Sequence, residues 1–155
     1  MANENQRKPN DFTPVVSAME LTEYVFEITD NLKKFPDYSV LERQVGDKTI
    51  ALIVFNQDSL TNIVREETRN IYHFVSSANR INVNRNPDRK AERLELQRKA
   101  IETCEDLLED IQICRKHFHL SSKRIKYWGG KVRDLKLAIE KWHENDKGRY
   151  GNITV

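Results

Sequence analysis

The residues in this chain best suited to chemistry are its cations, and they cluster. From Lys116 to Arg133 stand Lys116, Lys123, Arg124, Lys126, Lys131 and Arg133 without an Asp or Glu between them, and Tyr127 and Trp128 lie inside the run. From Arg80 to Lys99 stand Arg80, Arg85, Arg89, Lys90, Arg93, Arg98 and Lys99 against three acids. Cations at this density, with aromatic rings among them, suit contacts to phosphates and to stacked bases. Position strengthens the reading. Lys123 and Arg124 follow Ser121-Ser122, a helix-start signal, and Arg89-Lys90 head another helix. A helix N-terminus is the positive end of the dipole, so an exposed cation there costs ~0.3–1 kcal/mol. A pattern that opposes local preference answers to a demand from elsewhere, and helix-end amides joined by cations make a phosphate site. The competing reading is that 26 basic residues among 155 must sit somewhere on solvated helices.

Catalytic and metal chemistry find less support. The sequence has no glycine-rich phosphate loop, no serine-centred elbow and no cysteine pair at metal spacing. The histidines are His73, His117, His119 and His143; His117 and His119 stand two apart, which on a helix sends them to different faces. Glu102, Glu105, Asp106, Glu109 and Asp110 form an acidic helical stripe, but none of these acids is followed three residues on by a His, as the Glu-x-x-His pairs of a carboxylate metal bundle require. A solvated face, or a dock for basic residues, is the reading for that stripe. No enzyme, metal or cofactor is expected. Trp128 and Trp142 fall on apolar seam positions and read as core; Tyr127, one step off, is the stacking candidate.

The elements that must position these residues are helices. Charged residues make up 32% of the chain and hydrophobic ones 38%, with only 5 Gly and 4 Pro as breakers. The first helix starts at Thr13-Pro14, with Val15, Ala18, Thr22, Val25, Thr29 and Leu32 at three- and four-residue steps and Met19 and Phe26 widening the stripe. Lys33 and Lys34 suit its negative end, and Pro36 stops it. The second runs from Asp58-Ser59 to Asn79 on Leu60, Ile63, Val64, Ile71, Phe74, Val75 and Ala78. After the turn-rich loop 82–88, the third runs from Asp88 to Phe118, with Leu94, Ile101, Cys104, Leu108, Ile111 and Phe118 as its seam. The fourth has the most regular spacing, Ile125, Trp128, Val132, Leu135, Ile139 and Trp142, the seam of left-handed bundle packing. The short link from Phe118 to Ser121 makes helices three and four antiparallel neighbours.

One segment departs from helical periodicity. Tyr38 to Phe55 is rich in β-branched and aromatic residues around Gly46-Asp47, a two-residue turn with glycine first, and reads as a β-hairpin. The alternative is an earlier start of the second helix near Thr49, with a kink. The expected fold is therefore all-α, an antiparallel up-and-down four-helix bundle over 13–144, with a small β-hairpin inserted at 37–57 between helices one and two. Residues 1–12 are expected as a disordered tail and 145–155 as a flexible one.

No run of ~18 apolar residues is present, so no membrane contact is expected. The first ten residues lack the apolar core of a secretion signal, which places the chain in the cytoplasm. Cys104 and Cys114 lie ten residues apart on one helix, ~15 Å along its axis, too far for a disulfide. Two reduced, partly buried thiols follow.

Several short motifs, in this order and spacing over 14–144, resemble the accessory variability determinant (Avd) proteins of diversity-generating retroelements. That family belongs to a superfamily of four-helix proteins which includes those encoded in ribosomal RNA intervening sequences. Lys34-Phe35-Pro36 is similar to the family's close of the first helix, and Ser59-Leu60 through Ser77-Ala78-Asn79-Arg80 to its second. Arg115 late in helix three, Lys123-Arg124 opening helix four and Trp142 near its end also match. The segment 37–58 looks like an insertion, and the link from His117 to Ser121 is shorter than the family's. The resemblance implies a basic homopentamer that binds reverse transcriptase and template RNA or an RNA–DNA hybrid. It would support mutagenic cDNA synthesis without doing chemistry itself, with Arg80, Arg115, Lys123 and Arg124 at commonly basic positions. A pure protein-interaction bundle, docking a partner on the acidic stripe, is the other reading.

Overall fold

The computed structural model describes residues 12–150. Four helices follow one another, α1 (Thr13–Thr29), α2 (Leu60–Arg80), α3 (Lys90–Phe118) and α4 (Ser122–Tyr150), with a 3₁₀ turn at Pro87–Arg89 leading into α3. Between α1 and α2 stands a two-stranded antiparallel sheet, β1 (Tyr38–Val45) and β2 (Lys48–Phe55). Helix α1 lies against α2 and α4, α2 against α3, and α3 against α4.

The expected α4 seam is the observed one: Ile125, Trp128, Val132, Leu135, Ile139 and Trp142 are all buried. The α3 seam is the expected one in part: Cys104, Ile111 and Phe118 lie on it, and Leu94, Ile101 and Leu108 do not. Its buried line is Gln97, Ala100, Cys104, Leu107, Ile111, Cys114 and Phe118, again at alternating three- and four-residue steps. Leu94, Ile101 and Leu108 are only half-buried, beside that line. Small residues and a glutamine hold the centre because α3 lies between α2 and α4, and close packing fills the space with whatever volume the neighbours leave. Both cysteines are free and buried on this seam. Burial pushes each thiol up to about 12, which leaves them as small apolar residues.

Helix α1 ends at Thr29, five residues before the expected stop at Lys34. Asn31 is the cause: its Oδ1 accepts the backbone N–H groups of Lys33 (3.2 Å) and Lys34 (3.3 Å), turning the chain out of the helix. That turn delivers Phe35 into the core, fully buried, with its ring 5.3 Å from Phe118 and 6.4 Å from Trp128. Lys34-Phe35-Pro36 thus acts as a plug at the end of the helices, where α3 turns into α4. The turn between those helices is made by His119, the one non-glycine residue at positive φ (56°) among those described, in the left-handed cap position of α3.

The hairpin forms as the sequence leads one to expect. Val45 pairs with Lys48 across Gly46-Asp47, and Gly46 has φ +63°, the first position of a turn that matches strand twist. Its base is tied to α2. Asp37 accepts the Thr61 backbone N–H (2.9 Å) and the Thr61 hydroxyl. Ser59 caps the same helix through the Asn62 N–H (3.2 Å).

The expected flexible tail from 145 is overturned over 145–150, where α4 continues with Asp146 and Tyr150 buried. Residues 1–11 and 151–155, the rest of the two expected tails, lie outside the described residues; Phe12 stands at the N-cap position of α1 without a side-chain cap and meets Trp142 edge-on at 5.0 Å. Asp146 holds α4 in place. Its Oδ2 accepts from Arg93 Nε (2.7 Å) and Gln97 Nε2 (2.6 Å), while Arg93 Nη1 donates to the Ile81 carbonyl (2.8 Å). Because the Gln97 amide N–H faces a carboxylate, its Oε1 is the acceptor for His143 Nδ1 at 2.8 Å. Burial, then the Lys147 charge, lower the His143 pKa, so the neutral ring bonds with its proton on Nδ1. Tyr150 closes the end on Ile81 and Val83.

Asp146→Ala leaves the Arg93 charge and the Gln97 amide N–H without their carboxylate acceptor in the interior and is expected to destabilise the fold by ~3–5 kcal/mol in urea denaturation. Arg98→Ala, which removes only exposed pairs with Glu95 and Glu102, is expected to cost less than ~1 kcal/mol. Equal midpoints for the two variants would refute the assignment.

Candidate nucleic-acid interface

The expected basic residues do not form one surface. Arg80, Arg85, Arg89, Lys90 and Arg93 lie where α2 passes into α3, whereas Arg115, Lys116, Lys123, Arg124, Lys126 and Tyr127 lie where α3 passes into α4, and Lys131 and Arg133 stand a turn or more further along α4. The 29 residues of α3 separate the two groups, roughly 40 Å at helical rise.

The first group is largely engaged within the molecule. Arg93 is the clearest case: its side chain is 11% exposed, bonded to Asp146, and its guanidinium lies 5.3 Å from the Trp142 ring and 5.5 Å from Tyr150. It is a structural residue and is corrected from the candidate surface. Arg89 makes a two-pronged pair with Glu92 (2.9 and 3.0 Å), which also relieves the cation at that helix start. Arg80 is exposed and donates to Ser77 (3.2 Å), Arg85 is exposed in the loop, and Lys90 is half-buried.

The second group converges. Helix α4 starts after Ser121, whose hydroxyl accepts the Arg124 N–H (3.2 Å), so Lys123 and Arg124 occupy its first turn. Lys126, Tyr127 and Lys131 follow on the succeeding turns, and α1 supplies Tyr24 from the side. The Tyr24 and Tyr127 rings meet edge-on at 5.3 Å. Lys131 Nζ sits 5.5 Å from the first ring and 5.0 Å from the second, and the Arg124 charge acts on the Tyr24 phenol. Burial raises that phenol above its ordinary value, against the pull of that charge. Tyr24, Ser121, Lys123, Arg124, Lys126 and Tyr127 line an open groove of about 610 Å³. Tyr127 is 57% exposed. Cations held over rings keep their charge while losing freedom, which lowers the entropic cost of gripping an anion.

Around this groove, Arg115 reaches back to the Ser122 hydroxyl (3.1 Å), joining the end of α3 to the start of α4, and Lys116 is exposed beside it. Arg133 is exposed and lies over Gly129: a side-chain Cβ there would stand 3.2 Å from its Nη1. Tyr24 is the site residue the sequence does not announce, since on α1 it is one polar aromatic flanking a seam. Only packing brings it to α4.

The acidic stripe of α3 is partly neutralised. Glu102 pairs with Arg98, and Glu105 with Lys136 at 3.4 Å. Glu67 of α2 faces Asp110, with Asp106 and Glu109 near; burial, then hydrogen bonding to Asp110, pushes its carboxyl up to about 9. Among the described residues no group of three or more His, Cys, Asp or Glu is arranged to hold a metal ion, and no helix is long and apolar enough to cross a membrane. His117 rests on the Phe118 ring (5.1 Å) and His73 on Tyr72 (5.7 Å), so these histidines share no site.

Fold and geometry together define a helical protein with a basic, tyrosine-lined groove where two of its helices meet. Compared with known proteins, the chain matches no family model, no curated protein and no solved structure.

The protonated Glu67 carboxyl gives a pH signature. Between its ordinary value of 4.5 and about 9 the native state keeps a proton that the unfolded chain has lost. Stability is therefore expected to fall as pH rises through that window. Glu67→Gln should flatten the fall, read as denaturant midpoints at intervals across it; an unchanged slope would contradict the assignment.

Proposed function

We propose that this protein is a non-enzymatic RNA-binding accessory protein that grips phosphates and unpaired bases in the groove between α1 and the start of α4. The observation that carries the reading is the convergence of Lys123, Arg124, Lys126 and Lys131 on the Tyr24–Tyr127 ring pair. The cations neutralise phosphates at the positive end of α4. Tyr127 offers a face on which any base can stack. Such a site binds with little sequence preference, because charge and stacking carry no base code.

Several contacts support an antiparallel up-and-down bundle as the arrangement of the helices. Arg93 near the start of α3 meets Asp146 near the end of α4, Phe12 before α1 meets Trp142 late in α4, and Tyr24 meets Tyr127 early in α4. With the resemblance to the Avd family, this leads to a specific role. The protein accompanies the reverse transcriptase of a diversity-generating retroelement as a cytoplasmic homo-oligomer, a pentamer by that resemblance. It holds template RNA or the RNA–DNA hybrid during mutagenic copying. The groove cations serve the nucleic acid.

A protein-interaction bundle without nucleic acid is the second reading, favoured by the acidic α3 stripe, where Glu109 and Asp106 are exposed. Titration of structured RNA against salt separates the two. On the proposed reading, log affinity falls with log salt at a slope of about −0.7 for each single-strand phosphate contact, so roughly −3 for four cations. Lys123→Glu, Arg124→Glu and Lys126→Glu together are expected to abolish binding while the far-ultraviolet spectrum stays helical. Tyr127→Ala should weaken binding to single strands by ~1–3 kcal/mol. Wild-type protein that ignores RNA in dilute salt would sink the proposal.

A further inference from the structure

The hairpin has no place in that reading. It stands apart from the helices except at its base, where Tyr38 meets Phe55 edge-on at 6.4 Å and Arg65 lies 5.4 Å from the Phe55 ring. Beyond the base it is exposed on both faces. Val40, Leu41, Val45, Ile50, Leu52 and Ile53 each keep 40% or more of their surface in solvent. A lone two-stranded sheet is marginally stable in water, and proteins guard free strand edges with charge, proline or bulges. The two edges differ here. Strand β1 carries Glu42 and Arg43 in its middle, the usual guard. Strand β2 carries Lys48 at its first residue and no further charge through Phe55, so Thr49 to Ile53 is an uncharged, exposed edge rich in β-branched residues.

We propose that β2 pairs with β2 of a second copy of this chain, antiparallel about a two-fold axis at Ala51, making a continuous four-stranded sheet. Charge distribution selects this occupant and this direction. An edge without charge offers nothing to a charged strand, whereas its own copy matches it residue for residue. Antiparallel pairing about Ala51 sets Ile50 against Leu52, and Thr49 against Ile53, of the other copy. It also sends the two Lys48 side chains to opposite ends, while parallel pairing would place them side by side. Ala51, the smallest side chain of the run, falls on the axis, where identical residues meet. The contact is independent of whatever the helices touch.

A cysteine at the axis tests it. Opposed residues of an antiparallel pair lie ~4.5–5.5 Å apart at Cα, within disulfide reach, and the native Cys104 and Cys114 are buried and do not compete. Under mild oxidation, Ala51→Cys is expected to convert most of the full-length protein to a covalent dimer of twice the 18.3 kDa chain. Val40→Cys on the guarded edge, also exposed, should not. Adding Thr49→Lys and Ile53→Lys to Ala51→Cys opposes like charges and should suppress the dimer; Thr49→Glu with Ile53→Lys should restore it. Circular dichroism checks that the helices persist in each variant. Absence of the Ala51→Cys dimer, equal cross-linking at Val40→Cys, or a yield indifferent to the charge pairs would overturn the proposal. A disulfide to a foreign protein would overturn it in favour of another occupant.

Discussion

Asp146 is the carboxylate on which the far end of the molecule depends. It is 2% exposed and sits at the next seam position after Trp142. An apolar residue there would pack against many arrangements of α3, whereas a carboxylate needs donors. Arg93 and Gln97 on α3 supply them, and Arg93 then fixes the Ile81 carbonyl and so the exit of α2. One buried anion thereby sets the register of α3 against α4 and the path of the loop before α3. Its burial is tolerable only because the charge is paired and its hydrogen bonds are made.

The same requirement divides the cations into two populations. Those near Asp146 and Glu92 are consumed: Arg93 and Arg89 give their donors to carboxylates of the chain itself. Lys131 on α4 and Arg115 at the end of α3 meet aromatic rings and a hydroxyl instead, partners that orient a cation without neutralising it. A stretch with no acid between Lys116 and Arg133 makes that outcome possible. The result is a concentration of cations beside a helix N-terminus, with Glu27 of α1 the acid at its margin.

The helices and the hairpin follow different rules of closure. Each helix covers its seam against its neighbours and leaves a polar face to water. The hairpin has side chains on two faces and the helices cover only its base, so apolar residues remain outside. Asp37 and Phe55 fix where it projects from and leave its length in solvent.

Element type and the hairpin turn were legible from the residues alone, whereas the stop of α1 at the Asn31 turn was not. The α4 seam follows from large apolar side chains recurring every three and four residues, and the hairpin turn from glycine's access to positive φ at Gly46; both are set by neighbours a few positions away. Tertiary structure decided the rest. It placed Gln97, Ala100, Leu107 and Cys114 on the α3 seam ahead of Leu94, Ile101 and Leu108, because the space between two helices selects shape over hydrophobicity. It extended α4 to Tyr150, since the donor that holds Asp146 stands 53 residues away in sequence. It withdrew Arg93 from the surface and brought Tyr24 to the groove for the same reason: a side chain's partner is chosen by distance in space, which spacing along the chain does not encode.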